Sequence, residues 1–266
     1  MSILQAIMIA LFVYLAAIGS VVGNTLGWYS LGRPLVASFV VGVIMGDVPT
    51  AVTLGLLLQL ANLGSVTPGG AVGWDLSYAT YIGVAGALAF HVGDIAATTA
   101  LMWAFSTVGG AIGVAMWNLN YALNLSVNRI AYQGAEEANP KKIAWANAGL
   151  GNIIGFVTRF IPALIILATT AVAGSQTGIN ISELIPQWLL IVLNTFGGMM
   201  AALGIGILLS FLIKEKWQFA LVLFGFMLVV YFNLNMMAVA VLAMILAVLY
   251  YVAITQREQE EGGGRS

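Results

Sequence analysis

Hydrophobic segments follow one another along most of the chain, and their lengths fall into two groups. A helix rises about 1.5 Å per residue, so about 20 apolar residues are needed to cross a hydrocarbon core of about 30 Å. Residues 3–22 reach that length, and because no Lys or Arg precedes them we expect a retained first helix rather than a cleaved signal peptide. Residues 34–46 and 51–64 are too short. They predict two half-helices around a polar turn, a re-entrant hairpin such as transporters use.

Further apolar helices are expected after this hairpin. They cover about residues 76–90, 95–118, 143–173, 184–213, 217–232 and 236–254. The 143–173 and 184–213 runs are longer than one span needs, so each is either tilted or broken. Residues 119–142 are hydrophilic and are predicted to form the main connection, where Lys141 and Lys142 favour the cytoplasmic side. The fold class predicted is an all-α polytopic membrane protein, a helix bundle with re-entrant or broken helices.

Composition agrees with that class. The chain has 266 residues, of which 61% are hydrophobic and 7% charged, whereas a soluble domain carries about 25% charged residues. The net charge of −1 argues against binding to nucleic acid. We assign residues 1–255 to one membrane domain, with core and scaffold parts interleaved, and residues 256–266 to a polar C-terminal tail, native or added.

Few residues offer reactive chemistry. There are no cysteines, so disulfides and thiolate metal sites are excluded. No glycine-rich loop is followed by Lys and Ser or Thr, so no nucleotide site is predicted. Nor does the sequence contain a metal-ligand cluster or a paired nucleophile and base. We therefore expect no cofactor, no metal and no catalysis by the chain on its own.

The region most informative about function is the glycine-rich stretch 65–75, whose Pro and glycines exclude a regular helix. Irregular backbone at membrane depth is tolerated only inside protein or along a wet cavity. Asp75 ends the stretch just before an apolar helix. Asp is a favoured helix N-cap, but an ionisable group in a membrane region is also a candidate site by default. Asp75 is therefore interpreted as a carboxylate that accepts hydrogen bonds from sugar hydroxyls, with capping as a compatible second role.

Two amides precede that stretch. Gln59 and Asn62 are three residues apart on the second short helix, so they share a face. Amides both donate and accept hydrogen bonds, which suits an uncharged polyhydroxylated ligand. The alternative, hydrogen bonding between helices, is equally compatible with the sequence. Thr67 joins the predicted substrate-binding set as its weakest member, since a backbone bond in a turn explains it as well.

The other polar residues favour structural interpretations. Asp47 is typical of a turn between half-helices, and Arg159 needs a buried partner or a helix break. His91, the single histidine, is predicted to be a cap or interfacial contact rather than a phosphate acceptor or proton relay. Asn233 and Asn235 favour a loop between two spans, with local unwinding beside a cavity as the alternative.

Several motifs together resemble the EIIC membrane component of the mannose–sorbose family of the phosphotransferase system (PTS). They are GRPLVA at 32–37, GVIMGD at 42–47, QLANLG at 59–64, GGAV at 69–72 followed by Asp75, Gly197-Gly198, and the 232–235 element. The resemblance covers nearly the whole chain and is most specific in residues 32–91. It implies a sugar-contact role for Asp75. Mannose-transporting members have Glu in place of Gln59 and Asn in place of Thr67, so mannose itself is in doubt as the substrate.

The resemblance also implies partners and a mechanism. EIIC pairs with a second membrane component, EIID, to translocate a hexose-type sugar across the bacterial cytoplasmic membrane. A cytoplasmic component, EIIB, carries phosphate on histidine, passes it to the sugar, and is recharged through EIIA. The membrane complex would be a trimer of EIIC–EIID pairs in which a core moves against a scaffold like an elevator. EIIC components of this family are not themselves phosphorylated, in agreement with the structural interpretation of His91.

Two alternatives from other classes remain open. An ion-coupled secondary sugar transporter would need a coupling site, and substitution of Asp75 would then abolish ion dependence. A non-transporting membrane scaffold or receptor would have no need of polar residues such as Gln59 within the membrane, and their replacement by Ala would leave its partner binding intact.

Overall fold

The computed structural model describes residues 1–63, 74–90, 93–176 and 187–262. Its helices are α1 Ile3–Leu15, α2 Gly23–Leu31, α3 Pro34–Met45, α4 Val48–Ala61, α5 Leu76–Ala89, α6 Ile95–Glu136, α7 Pro140–Ala144, α8 Gly151–Gln176, α9 Gln187–Leu212, α10 Phe219–Val230 and α11 Met236–Gly262. The second half of α2, Gly27–Leu31, is π-helical. The chain divides into two compact units, Met1–Leu208 and Leu209–Ser266, which are described separately.

Helix α5 forms the centre of the first unit. Every residue from Ser77 to Ala89 is buried, and α1, α3, α4, α6 and α8 all pack against it. Such all-round burial explains why α5 has no polar face: every side of the helix meets another helix. The core therefore surrounds the helix that begins at Asp75.

Small residues allow α5 and α6 to approach closely. A Cβ added to Gly109 would lie 2.9 Å from the carbonyl oxygen of Tyr78, and one added to Gly86 would lie 2.6 Å from the Phe105 ring. Glycine is enriched where membrane helices meet in this way. The many glycines of the sequence thus serve packing here rather than flexibility.

The predicted hairpin of half-helices is confirmed. Helices α3 and α4 are short, pack against each other, and are joined through Gly46, which adopts φ +85°, and Asp47. The Asp47 carboxylate accepts a hydrogen bond of 3.2 Å from the backbone N–H of Thr50, so its predicted turn role is also confirmed. Pro34 occupies the first turn of α3, where its missing N–H removes no helical hydrogen bond.

The expectation of a single first helix over residues 3–22 is wrong. Helix α1 ends at Leu15, and Gly19 and Gly23 adopt positive φ values of +76° and +74°. Glycine accepts this left-handed conformation without steric cost, so the chain turns between α1 and α2 despite its apolar composition. Helix α2 then follows, and it meets α3 at a bend of 81°.

The predicted connection over 119–142 is wrong for most of its length. Helix α6 continues through it to Glu136, a run of 42 residues. Its amides find partners along the helix: Asn124 donates to both the carbonyl and the side-chain oxygen of Asn120, each at 2.9 Å. The actual connection is the short turn at Ala138, with φ +48°, before α7 begins at Pro140.

Of the two expectations for the 143–173 run, a break is not found, because Pro140–Gly174 is one helical run, and the tilt stays a prediction. Helix α7 passes into a π-helical turn, Trp145–Leu150, before α8, and Pro162 lies inside α8. Within the described residues, two helical runs are long and apolar enough to cross a membrane, Ile95–Glu136 and Pro140–Gly174, or three if the bent pair α2–α3 counts as one span.

The second unit contains α10 and α11. The loop predicted around Asn233 is confirmed: the chain turns there with φ +50°, and Asn235 accepts a hydrogen bond of 2.8 Å from Ala238 N–H. Most of the large apolar side chains of these two helices are exposed. An exposed apolar surface of this extent is typical of contact with lipid or with another protein.

Candidate functional site

Asp75 begins α5 and is completely buried. One carboxylate oxygen, Oδ1, accepts hydrogen bonds from the Tyr78 N–H at 3.1 Å and from the Ser77 hydroxyl at 2.7 Å. The other, Oδ2, accepts from Nη1 of Arg159 in α8. The predicted capping role is therefore confirmed, and the carboxylate is also half of a buried ion pair.

Arg159 thus has the partner that its position in an apolar helix requires. Its side chain is 4% exposed, and its guanidinium lies 5.3 Å from the ring centroid of Tyr78 and 5.1 Å from that of Trp117. Aromatic faces attract such a cation, most strongly where both are desolvated. The charge of Arg159 is consequently balanced by one carboxylate and flanked by two rings.

The same residues provide donors for carbonyls near Pro162, which lies inside α8. Pro162 has no N–H, so the carbonyl four residues earlier, that of Thr158, loses its helical donor. The Tyr78 hydroxyl donates to the carbonyl of Arg159 at 2.5 Å and lies 3.4 Å from that of Thr158. Asn120 of α6 donates to the Thr158 hydroxyl at 3.0 Å.

These contacts join α5, α6 and α8 at one point within the bundle. We call it the polar node, consisting of Asp75, Tyr78, Asn120, Thr158 and Arg159. Polar groups at membrane depth are stable only when they are paired, and the node pairs them across three helices. The helical turn that begins at Asp75 is therefore held in a defined position relative to α8.

Gln59 and Asn62 occupy the C-terminal end of α4, and both are half-buried. Asn62 donates to the Leu58 carbonyl of its own helix at 2.9 Å. The Gln59 side chain makes no hydrogen bond to any residue that the structure describes. The end of α4 is approached by α9 at one point, where a Cβ on Gly204 would lie 2.3 Å from the Leu60 carbonyl oxygen.

The predicted site residues are only partly brought together. Helix α4 packs against α5, yet the hydrogen bonds of Asp75 go to Ser77, Tyr78 and Arg159, and not to Gln59 or Asn62. Thr67, the glycine-rich segment 64–73 and His91 lie outside the described residues. The sugar-contact roles of Gln59, Asn62, Thr67 and Asp75 therefore stay predictions.

Sequence reasoning missed the pairing of Asp75 with Arg159. A signal was present: the chain has only ten acidic residues, and very few of them lie beside apolar helices. An arginine inside an apolar helix must find one of those few carboxylates, because an unpaired charge is costly there. Within the described parts of the chain, no three His, Cys, Asp or Glu side chains are grouped as a metal site.

The fold and the polar node define a polytopic helical membrane protein with broken helices in its core. Comparison with known families goes further: the model of the "PTS system sorbose-specific iic component" family matches residues 3–249, and the chain belongs to that family. It is thus a multi-pass membrane component of a bacterial sugar phosphotransferase system. The resemblance recognised in the sequence motifs is confirmed.

Curated relatives span nearly the whole chain. The mannose-specific EIIC component of Escherichia coli K12 is 25% identical over 93% of this chain and 88% of its own length. The sorbose-specific EIIC component of Klebsiella pneumoniae is 27% identical over 94% and 88%. The fructose permease IIC component of Bacillus subtilis is 26% identical over 98% and 91%.

Solved structures support the fold. A structure described only as a membrane protein matches with a TM-score of 0.74 at 22% identity, over 94% of this chain and 96% of the other. The cryo-EM structure of the mannose transporter ManYZ with microcin E492 matches with a TM-score of 0.52 at 23% identity, over the same shares. Both bear out the prediction of an all-helical membrane bundle with broken helices.

Proposed function

We propose that this chain is the EIIC component that binds and translocates a hexose-type sugar together with the membrane component EIID, and that transport is coupled to phosphorylation by EIIB. The family match over residues 3–249 carries this proposal. The relatives are named for mannose, sorbose and fructose, all of which are hexoses. A hexose is therefore the substrate class we assign to this chain.

The sugar binds near the end of α4 and the start of α5. Gln59 supports this location, because its amide is half-buried and available to bond a hydroxyl. Asn62 and Thr67 complete the predicted set. Asp75 contributes through its carboxylate, whose position is maintained by the Ser77 hydroxyl and Arg159.

The polar node favours coupling to phosphorylation over coupling to an ion. A carboxylate that carries a proton or sodium ion through a transport cycle must exchange its partner. Asp75 is paired with Arg159 and buried with it, so releasing the carboxylate would leave an uncompensated charge in a medium of low dielectric constant. Phosphorylation by EIIB instead traps the sugar chemically after translocation and requires no coupling carboxylate.

The assembly proposed is a trimer of EIIC–EIID pairs in which a mobile core moves against a scaffold. The paired half-helices α3 and α4 support a core of the broken-helix type. The exposed apolar side chains of α10 and α11 support a scaffold role, since they suit contact with lipid or neighbouring proteins of the complex. EIIA and EIIB are the cytoplasmic partners.

Sugar phosphorylation in membrane vesicles tests the proposal. Vesicles containing this chain and EIID receive phosphoenolpyruvate, the soluble phosphocarriers and a panel of labelled hexoses. We expect a phosphorylated product that is absent without this chain. An assembled complex that phosphorylates no sugar, or that accumulates free sugar with an ion gradient, would contradict the proposal.

The Gln59→Glu variant then tests the pocket. A carboxylate only accepts hydrogen bonds whereas an amide also donates, so the order of preference among hexoses should change. Gln133→Glu is the matched control, because Gln133 is exposed on α6. Equal effects of the two substitutions on the relative kcat/KM values would exclude Gln59 from the sugar pocket.

A further inference from the structure

A second polar region lies at the ends of α4 and α5 that are far from the proposed sugar site. Helices α3 and α5 end there, and α4 and α6 begin there, around a cavity of about 370 Å³. Its lining includes Gly46, Asp47, Thr50, Leu88 and Thr98. Small-molecule sites typically have volumes of about 300–1,000 Å³, so this cavity is large enough to hold a small ligand.

Asp47 contributes a carboxylate that its structural role uses only in part. Its Oδ1 caps α4 by accepting from the Thr50 N–H at 3.2 Å, whereas its Oδ2 makes no hydrogen bond to any residue that the structure describes. The Thr50 hydroxyl likewise has no partner among the described residues. Both side chains are half-buried, both residues line the cavity, and neither oxygen is a buried atom without a partner. A carboxylate oxygen and a hydroxyl are therefore accessible to a ligand.

The helix ends add backbone groups of both kinds. The end of an α-helix leaves carbonyls without helical donors, and the start of one leaves N–H groups without helical acceptors. Because two helices end and two begin at this cavity, its surroundings offer acceptors as well as donors. A sugar hydroxyl both donates and accepts a hydrogen bond, so a polyhydroxylated molecule matches these surroundings.

Charge and size argue against other small ligands. Asp47 is the only charged residue among the described residues that line the cavity, so a sugar phosphate would be repelled. A calcium ion takes about six to eight oxygen ligands, often from several carboxylates, whereas the described lining has one carboxylate around a space much larger than an ion. The cavity therefore suits a neutral sugar that has not been phosphorylated.

The position of the cavity along α6 indicates the side of the membrane on which it lies. Thr98 is in the first turn of α6, which then runs for 42 residues, or about 63 Å, to its end close to Lys141 and Lys142. A bilayer with its headgroups is about 40–45 Å thick. Because the two lysines favour the cytoplasmic side, the start of α6 and the cavity beside it face the outside, from which sugar arrives.

We propose that this cavity is an outer binding site, where Asp47 and Thr50 hold the unphosphorylated sugar before it moves to the deeper site. The inference rests on the proposed function as a hexose transporter. Helices α4 and α5 each have 14 residues, so the two sites are about 20 Å apart along these helices. The turn between α3 and α4 thus receives the sugar, and the other end of α4, which carries Gln59, binds it within the bundle.

The first test is Asp47→Asn in the assembled complex, with sugar supplied outside vesicles that contain phosphoenolpyruvate and the soluble components. Asn is as good an N-cap as Asp, and with its oxygen at the cap its NH2 group replaces the Oδ2 acceptor. We expect the KM for sugar to rise about 10- to 100-fold, the loss of one hydrogen bond to a charged group, with kcat little changed. Asp94→Asn is the matched control, since Asp94 caps α6 but is not part of the described lining. An equal rise in KM for both variants, or none for Asp47→Asn, would overturn the proposal.

Cysteine labelling tests occupancy of the cavity with Asp47 unchanged. The chain has no cysteine, so a membrane-impermeant maleimide labels Thr50→Cys at one position only. Without phosphoenolpyruvate, sugar at about ten times its dissociation constant should slow this labelling about tenfold. Thr53→Cys is the control, because Thr53 is exposed on the same helix and is not part of the described lining, and its labelling rate should not change. No protection at position 50, or equal protection at both positions, would overturn the proposal.

The two proposals fail in different ways. A wild-type complex that phosphorylates no hexose, although sugar protects position 50, refutes the proposed coupling and leaves the outer site. A wild-type complex that phosphorylates hexoses while neither the KM of Asp47→Asn nor the labelling responds refutes the outer site alone. Protection by sodium ions without sugar, or by the sugar phosphate as well as by the sugar, would overturn the assignment to a neutral sugar.

Discussion

Replacing Asp75 by Asn isolates the ion pair of the polar node from the helix cap. Asn is as good an N-cap as Asp, and its side-chain oxygen can still accept from Tyr78 N–H. What changes is the charge: Arg159, with a side chain 4% exposed, is left without a counter-ion. Removing one partner of a buried pair destabilises by about 3–5 kcal/mol. We take the upper end, about 5 kcal/mol, because with that oxygen at the cap the amide NH2 group takes the place of Oδ2 and faces the guanidinium, donor against donor.

Equilibrium unfolding of the purified full chain in mixed detergent micelles, followed by far-UV circular dichroism, measures this change. Asp94→Asn is the matched control, since Asp94 caps α6 through Ala97 N–H at 3.0 Å but is exposed. It should change the free energy of unfolding by less than about 0.5 kcal/mol. Adding Arg159→Met to Asp75→Asn removes the unpaired charge, so the double variant should be more stable than Asp75→Asn alone.

Equal unfolding free energies for Asp75→Asn and Asp94→Asn would refute this reasoning, because the ion pair would then contribute nothing beyond a cap. A strictly additive loss in the double variant would refute the pairing itself.

The remaining predictions concern the helices around the node. Gly113→Ala should destabilise the chain by about 1–3 kcal/mol, since the new Cβ would lie 2.7 Å from the Cβ of Tyr78. The control Gly206→Ala, whose new Cβ has nothing within 4 Å, should be neutral or stabilising. Equal unfolding curves for the two variants would contradict this prediction. Tyr78→Phe should destabilise the chain by about 1–3 kcal/mol in the same assay, because the Arg159 carbonyl loses its 2.5 Å donor, and an unchanged midpoint would exclude that role. Cysteines at Ala89 and Gly174 would have Cβ atoms 3.8 Å apart, a distance that suits a disulfide between α5 and α8. This disulfide should leave sugar uptake intact. Uptake that is blocked until a reductant is added would show that α5 and α8 must separate during transport.

The hairpin was within reach of sequence reasoning, whereas the ends of the long helices were not. Two runs too short to span, with Asp47 and Pro49 between them, can only form half-helices, and α3 and α4 are such helices. For residues 3–22 the same length criterion fails, because it counts apolar residues and ignores the backbone. Helix α1 ends at Leu15, and the chain then turns through Gly19 and Gly23 with positive φ, although its composition stays apolar.

The polar stretch after residue 118 was predicted to be a connection, but it continues helix α6. Hydropathy marks where a helix leaves lipid, but not where it ends. Asn120 and Asn124 satisfy each other and the neighbouring Thr158, so α6 continues beyond its apolar part. Side-chain hydrogen bonds of this kind depend on which helices are neighbours, and no local pattern encodes that.

In the candidate site, too, the local features could be predicted from the sequence and the long-range contacts could not. The capping role of Asp75 follows from its position before an apolar helix, and the structure confirms it. Its pairing with Arg159 joins residues 84 positions apart, so it depends on the packing of α5 against α8. The need of Arg159 for a partner was predictable from its apolar surroundings, but the identity of that partner was not.

The polar node also limits how a transport cycle can proceed. If α5 slid past α8, Asp75 and Arg159 would separate inside the bundle, and each would face a medium in which an unpaired charge is destabilised by several kcal/mol. The Tyr78 hydroxyl would lose its bond to the Arg159 carbonyl at the same time. Sliding α5 past α8 would thus break both the ion pair and the Tyr78 hydrogen bond. The motion of lowest energy therefore keeps α5 and α8 together, and the relative movement takes place at interfaces without buried charge. An elevator-like core in which α5, α6 and α8 travel as one body satisfies that condition, whereas a gate hinged between α5 and α8 does not.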